Sequence, residues 1–260
     1  MNAWPLLHVG AFTALAMLAG WAWQRRSRNA GVVDVLWAAC MALAAVYCAW
    51  RADGAALPRV LTAAMGGLWG ARLAWHLGVR VFGDAHEDGR YRALREHWHG
   101  DQRRFLLFFL GQALVVVLFA VPLSIAAHNP LPQWSVWTTL ALATWLLAVG
   151  GESLADRQLA AFRADPGNKG KTCRRGLWRY SRHPNYFFEF VHWFAYVFLA
   201  VGSGALWVAI AALGPLLMFA FLYRVTGIPY TEQQALRSRG QDYADYQRST
   251  SAFFPLPPRQ

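Results

Sequence analysis

Seven stretches of the chain, near 5–23, 31–50, 58–79, 105–127, 134–151, 186–201 and 204–223, are apolar for long enough to cross roughly 30 Å of hydrocarbon. Between them lie short segments dense in arginine. The alternation predicts an all-α, polytopic integral membrane protein with about seven transmembrane helices, since a helix satisfies its own backbone groups in lipid. The sixth stretch is the least apolar, because Glu189 and His192 fall inside it. It is still needed, because basic segments before it and after the seventh require an even number of crossings between them.

The distribution of charge orients these spans. With the amino terminus outside and the carboxy terminus cytoplasmic, segments 24–30, 80–104, 152–185 and 224–260 face the cytoplasm and carry 3, 6, 8 and 5 Lys or Arg residues. The outer segments hold only Arg51 and Arg59, and Arg72 lies within the third span. Such a bias is the signature of positive-inside topology.

Composition agrees with lipid as the solvent. Only 15% of the 260 residues are charged, against about 25% in a typical soluble domain. The net charge of +11 does not indicate nucleic acid, because the arginines lie in blocks between apolar runs. Cys40, Cys48 and Cys173 have no metal-site or disulfide spacing. The first apolar run lacks a basic segment before it and a small-residue cleavage motif after it, so it reads as a retained span. Without a repeat or a long linker, residues 1–260 read as a single domain.

Ionisable groups inside apolar runs are costly and point to a cavity or a partner. Asp34 opens the second run, Arg72 and His76 lie one turn apart on the third, and Glu189 sits early in the sixth. A buried Asp34–Arg72 ion pair that locks helices is the structural alternative to a reactive site. Segment 84–95 packs acids, bases and Tyr91 beside the third run, which equally fits a solvated amphipathic helix. Segment 163–189 combines Gly, Asn and Lys in a pattern suited to an anionic ligand or acidic lipid headgroups, without the spacing of a P-loop or dinucleotide fingerprint. Pro184 is placed to open a helix, putting Arg182 and His183 at its mouth and Asn185 and Glu189 on one face. Segment 226–232 and Tyr243 and Tyr246 add further polar groups on the same side.

These blocks resemble the steroid 5α-reductase superfamily, in its branch of bacterial membrane reductases. The resemblance runs through Val33-Asp34 with Trp37, Trp69-Gly70 with Arg72-Leu73, Glu87-Asp88 with Arg90-Tyr91, Arg182-His-Pro-Asn-Tyr186 with Glu189, Thr226-Gly-Ile-Pro with Thr231-Glu232, and Thr250-Ser-Ala-Phe-Phe-Pro255. The Arg-His-Pro-Asn-Tyr block is similar in sterol C14 reductases and in isoprenylcysteine carboxyl methyltransferases, which bind S-adenosylmethionine; such a methyltransferase is the alternative reading. Val-Asp-x-x-Trp, Glu-Asp-x-Arg-Tyr and Thr-Gly-Ile-Pro together favour the reductases.

The resemblance implies NADPH as hydride donor, a hydrophobic enone such as a 3-oxo-Δ4 steroid as acceptor, and a place in the bacterial inner membrane. It assigns Asn185 and Glu189 to the nicotinamide end, Asp156 and Arg163 to the adenosine diphosphate end, and Arg72 to the cofactor's vicinity. Asp88, Arg90, Asn168, Lys169, Lys171, Arg182, His183, Tyr186, Glu232, Tyr243 and Tyr246 complete the expected cofactor bed. Asp34 falls near the family's catalytic glutamate and Trp69 near its third-span tyrosine. Indole is a poor proton donor, so the acid role falls to Asp34 in its protonated form, with His76 and Tyr91 as nearby candidates. Partner lipid and a hydrophobic small molecule are expected; nucleic acid and a metal are not. Oligomeric state is not fixed by the sequence.

Overall fold

The computed structural model describes residues 4–83 and 86–259, and every regular element among them is helical. Asp84 and Ala85, which open the charged 84–95 segment, lie outside the described residues. The helices are α1 (Trp4–Ser27), α2 (Val32–Arg51), α3 (Ala56–Gly83), α4 (Gly89–His97), α5 (Gln102–Ala127) and α6 (Val136–Ala164). They continue with α7 (Pro184–His192), α8 (Phe194–Leu199), α9 (Ala205–Ala211), α10 (Leu213–Ala220), α11 (Ile228–Arg239) and α12 (Gln241–Ser249). A π-helical turn, Phe221–Val225, separates α10 from α11.

Among the described residues five helical stretches are long and apolar enough to cross a membrane: α1, α2, α5, α6 and Ala205–Arg239. The last is apolar through the π-helical turn, and α11, with Glu232, Arg237 and Arg239, continues beyond the apolar part. Two of the seven apolar runs do not qualify. α3 has the length, but Arg72, His76 and its glycines lower its apolarity. The sixth run is divided into α7 and α8 by a tightened turn at Trp193, whose amide meets the Phe190 carbonyl at 3.3 Å.

The chain forms two compact units, one of residues 1–139 and 196–214, the other of residues 140–195 and 215–260. In the first, α1, α2, α3 and α5 pack on one another and α9 on α5. α2 and α3 approach through small residues: a Cβ added to Gly70 would lie 2.8 Å from the Ala42 amide and 2.9 Å from the Ala38 carbonyl. Only glycine permits that backbone approach. Met17, Val33, Phe105 and Phe109 form a buried cluster against which Tyr91 of α4 also packs.

In the second unit, Ala141, Ala148 and Ala155 of α6 are fully buried and spaced by sevens, so one narrow face of that helix is covered. α7 lies close to it: a Cβ on Gly151 would stand 2.4 Å from the Phe188 ring. Proline at the first position of α7 removes an amide that would otherwise lack a helical partner.

Candidate functional site

In the first unit Asp34, in the first turn of α2, is the meeting point of the charged segment and the apolar bundle. Its Oδ1 accepts a 2.6 Å bond from the Tyr91 phenol and its Oδ2 a 3.1 Å bond from Arg90 Nη2. Asp88 caps α4 by accepting from the Arg90 amide at 2.9 Å, and takes Arg90 Nε at 3.2 Å. Arg90 thus bridges two carboxylates. Burial tends to raise the Asp88 carboxyl, but the Arg90 charge and amide, with Arg80 3.6 Å away, hold it below the usual range. Burial, reinforced by the negative charge of Asp34, pushes the Tyr91 phenol well above its ordinary value. Tyr91 is therefore a neutral hydrogen-bond donor at physiological pH.

A second anchor holds this arrangement in place. Glu87 accepts from the Ala30 amide at 2.7 Å and from Arg95 at 2.8 and 3.0 Å, while Arg95 also donates to Gln24 and stacks on Phe105. Glu87 thereby ties α4 to the residues that open α2. The Glu-Asp-x-Arg-Tyr block is a clamp with each side chain assigned a partner.

In the second unit, α6 and α7 present the predicted polar groups to one another. Asn185 Nδ2 meets Asp156 Oδ1 at 3.4 Å. One helical turn along from this pair lie Glu152 on α6 and Glu189 on α7, both buried. Beyond α6, Asp165 caps a short 3₁₀ turn, accepting from the Gly167 amide at 2.9 Å, and Asn168 donates to the Phe162 carbonyl. The turn is held by its own side chains. Lys169 and Lys171 are exposed on it and form no ion pair among the described residues.

Glu232 is the hub of the remaining polar groups. It accepts from Arg182 Nε and Gln247 Nε2, each at 2.6 Å, and from His183 Nε2 at 3.2 Å. Burial raises its carboxyl, yet the bonds from His183 and Arg182 and the Arg182 charge outweigh that and hold it at about 2. Burial lowers His183 despite the carboxylate beside it, so the neutral imidazole carries its proton on Nε2. Its ring stacks on Tyr186 at 5.2 Å, and Tyr186 shares a 3.2 Å bond with Thr231.

Several residues expected at the cofactor make contacts that hold the fold. Arg182 donates through Nη1 to the Gln247 and Thr250 carbonyls, and its amide bonds the Ser251 carbonyl at 2.8 Å, so it staples α7 to the carboxy-terminal segment. Tyr246 is buried with its hydroxyl donated to the Trp178 and Ser181 carbonyls. Tyr243 is buried beside it, and burial pushes both phenols up. In the first unit Trp69 is 1% exposed and meets Trp37 edge to face at 6.2 Å, which makes it a packing group. His76 is exposed on α3, and neither it nor Arg72 is among the partners of Asp34.

The sequence reading missed Gln247 and Glu152. Gln247 carries no motif signal, but Glu152 stands one turn before Asp156 on the same helix face, which its spacing alone would have revealed. No curated protein and no solved structure matches the chain. A family model described as protein of unknown function (DUF1295) matches residues 20–250, and it spans the Asp34 clamp, the α6–α7 polar face and the Glu232 hub. The chain therefore belongs to the DUF1295 family, which is associated with steroid 5α-reductase-like membrane proteins.

Proposed function

We propose that the chain is a membrane reductase that uses NADPH to saturate the carbon–carbon double bond of a hydrophobic enone, with a 3-oxo-Δ4 steroid as the substrate class. The observation that carries this reading is the 2.6 Å bond between Tyr91 and Asp34. Asp34 accepts with both oxygens, so it orients the phenol, and the donor role passes to Tyr91.

NADPH supplies the hydride that adds to the β-carbon of the enone. As the carbon–carbon π bond shifts toward the carbonyl, negative charge gathers on the carbonyl oxygen. A neutral donor at that oxygen stabilises the transition state more than the ground state. Tyr91 suits this task because its phenol stays protonated, and Arg90 keeps hold of Asp34 when the phenol turns to the substrate. The phenol passes its proton to that oxygen, giving an enol that becomes the saturated ketone by taking a proton from water at the α-carbon and releasing the proton on oxygen, which restores the phenol from its phenolate.

The residues of the second unit fit the cofactor by their chemistry. Asn185 offers both a donor and an acceptor, and Glu189 an acceptor, which is the complement of a nicotinamide carboxamide. Lys169 and Lys171, exposed beside a braced turn and without an ion pair among the described residues, suit phosphates, with Arg163 toward the adenosine end and Asp156 beside Asn185. Arg182 supports this bed through the Glu232 hub. We also read the chain as crossing a bacterial inner membrane seven times with its carboxy terminus in the cytoplasm, on the strength of its one-sided charge.

The test is a thermal-unfolding comparison of the full-length protein in detergent with NADPH, NADH and S-adenosylmethionine, followed by NADPH consumption on an enone. NADPH is expected to stabilise the protein and to be oxidised only when enone is present. Stabilisation by S-adenosylmethionine alone overturns the reading in favour of a methyltransferase acting on a lipid or prenyl acceptor.

A further inference from the structure

Where the last apolar helix ends, the π-helical turn Phe221–Val225 and the carboxy-terminal segment 250–259 enclose a cleft of about 410 Å³. Arg182, Arg224 and Arg259 line it with Tyr223, Phe253 and Phe254, and no carboxylate is among the described residues that do. The charge is only partly compensated. Glu232 neutralises Arg182 through Nε, and Nη1 is bound to carbonyls, but Nη2 meets no acceptor among the described residues. Arg224 and Arg259 form no ion pair among the described residues.

Two unneutralised guanidiniums beside a third in one cleft repel each other and attract an anion. Forked donors of this kind match phosphate oxygens. The cleft's position narrows the source of that phosphate. It opens at the end of an apolar helix, the level at which headgroups lie, and its surroundings expose Val225, Phe254 and Leu256. A soluble phosphate would use the arginines and leave this apolar rim without purpose. We propose that the cleft binds the phosphate of an anionic phospholipid headgroup, whose acyl chains lie along the exposed apolar rim. The assignment is independent of the reductase reading: it shares Arg182 with the expected cofactor bed, but it is tested at Arg224 and Arg259, which that reading does not use.

Native mass spectrometry of the full-length protein, titrated with phosphatidylglycerol against phosphatidylcholine, tests it on the wild type. Phosphatidylglycerol is expected to be retained about thirtyfold more tightly, the effect of two basic groups meeting one anionic headgroup. Equal retention of the two lipids overturns the proposal. The double substitution Arg224→Gln with Arg259→Gln is expected to abolish the preference. Arg248→Gln, whose arginine pairs with Asp245 outside the cleft, should leave it intact. A double variant that keeps the preference overturns the proposal, and the wild-type titration stands even if that variant does not fold. Inorganic phosphate forms the last arm: if it displaces phosphatidylglycerol at equal concentration, the site is one for soluble phosphate and the lipid assignment falls.

Discussion

Glu232 offers a quantitative handle on the second unit. Its carboxylate takes bonds from Arg182, His183 and Gln247, and the Arg182 and Glu232 side chains are 11% and 13% exposed. Deleting it by Glu232→Ala leaves a nearly buried guanidinium uncompensated, a change that costs about 3–5 kcal/mol. Glu232→Gln preserves an acceptor and loses only the charge, for about 1–2 kcal/mol, or a fall of about 3–6 °C in Tm for a chain of this size.

Acid titration supplies an independent measure of the same contact. Glu232 titrates at about 2 in the folded protein against 4.5 in the free side chain, which corresponds to about 3 kcal/mol and, after screening by the solvent that reaches it, about 1–2 kcal/mol. Because the folded value is depressed, that stability is complete above 4.5 and disappears as pH falls toward about 2. His183 contributes an earlier loss, since burial lowers it from 6.5 and the unfolded chain then binds its proton more readily below that value. Thermal unfolding in detergent at a fixed scan rate should therefore show wild-type Tm declining in two stages, the lower one absent in Glu232→Gln. An unchanged Tm at neutral pH in that variant, with the same lower stage, would refute the hub.

Other substitutions separate the roles assigned above. Tyr91→Phe should reduce enone turnover by about a hundredfold or more, as loss of a positioned proton donor does, with NADPH affinity unchanged. Lys169→Gln with Lys171→Gln should raise the NADPH dissociation constant about tenfold and leave Tm without cofactor unaltered, a result read by cofactor titration. Gly70→Ala should lower stability by about 1–3 kcal/mol in thermal unfolding, because the new Cβ meets α2 backbone that cannot yield as a side chain would. Asp88→Ala removes the α4 cap and a partner of Arg90, and a Tm loss equivalent to about 1 kcal/mol is expected.

What the sequence made legible was what depends on local pattern. Apolar run length located α1, α2, α5 and α6, and Pro184 located the start of α7 at its first residue. The division at Trp193 and the π-helical turn had no such signal, because a tightened turn and a π turn use the same apolar residues as the helix around them. Motif spacing placed Asn185 and Glu189 on one helix, and residue chemistry marked Asp34 as costly to bury. Which partner Asp34 would take was another matter. Arg72 lay in the adjacent apolar run, whereas Arg90 and Tyr91 lie 56 and 57 residues along the chain in a polar segment. Long-range pairing of that kind depends on how a loop folds back, and hydropathy does not record it. For the same reason the bonds by which Arg182 staples the carboxy-terminal segment to Glu232 and the Gln247 and Thr250 carbonyls leave no trace in its motif.

The folding back of that loop bears on why the charged segments are as they are. Positive charge alone would orient the spans whether or not the segments were ordered. In α4, however, Arg90 and Arg95 each have carboxylate partners, and Tyr91 is buried against Phe108 with its hydroxyl on Asp34. Exposing that phenol to water by letting the loop detach would sacrifice the Tyr91 burial, the Arg95–Gln24 bond and the Ala30 amide bond together. Such contacts add cooperatively because they share one short helix. The side chains of Asp34 and Arg90 nevertheless remain 27% and 25% exposed. A buried donor is thus joined to solvent through partly open polar groups, an arrangement that orientation does not require and that a site exchanging protons at the membrane surface does.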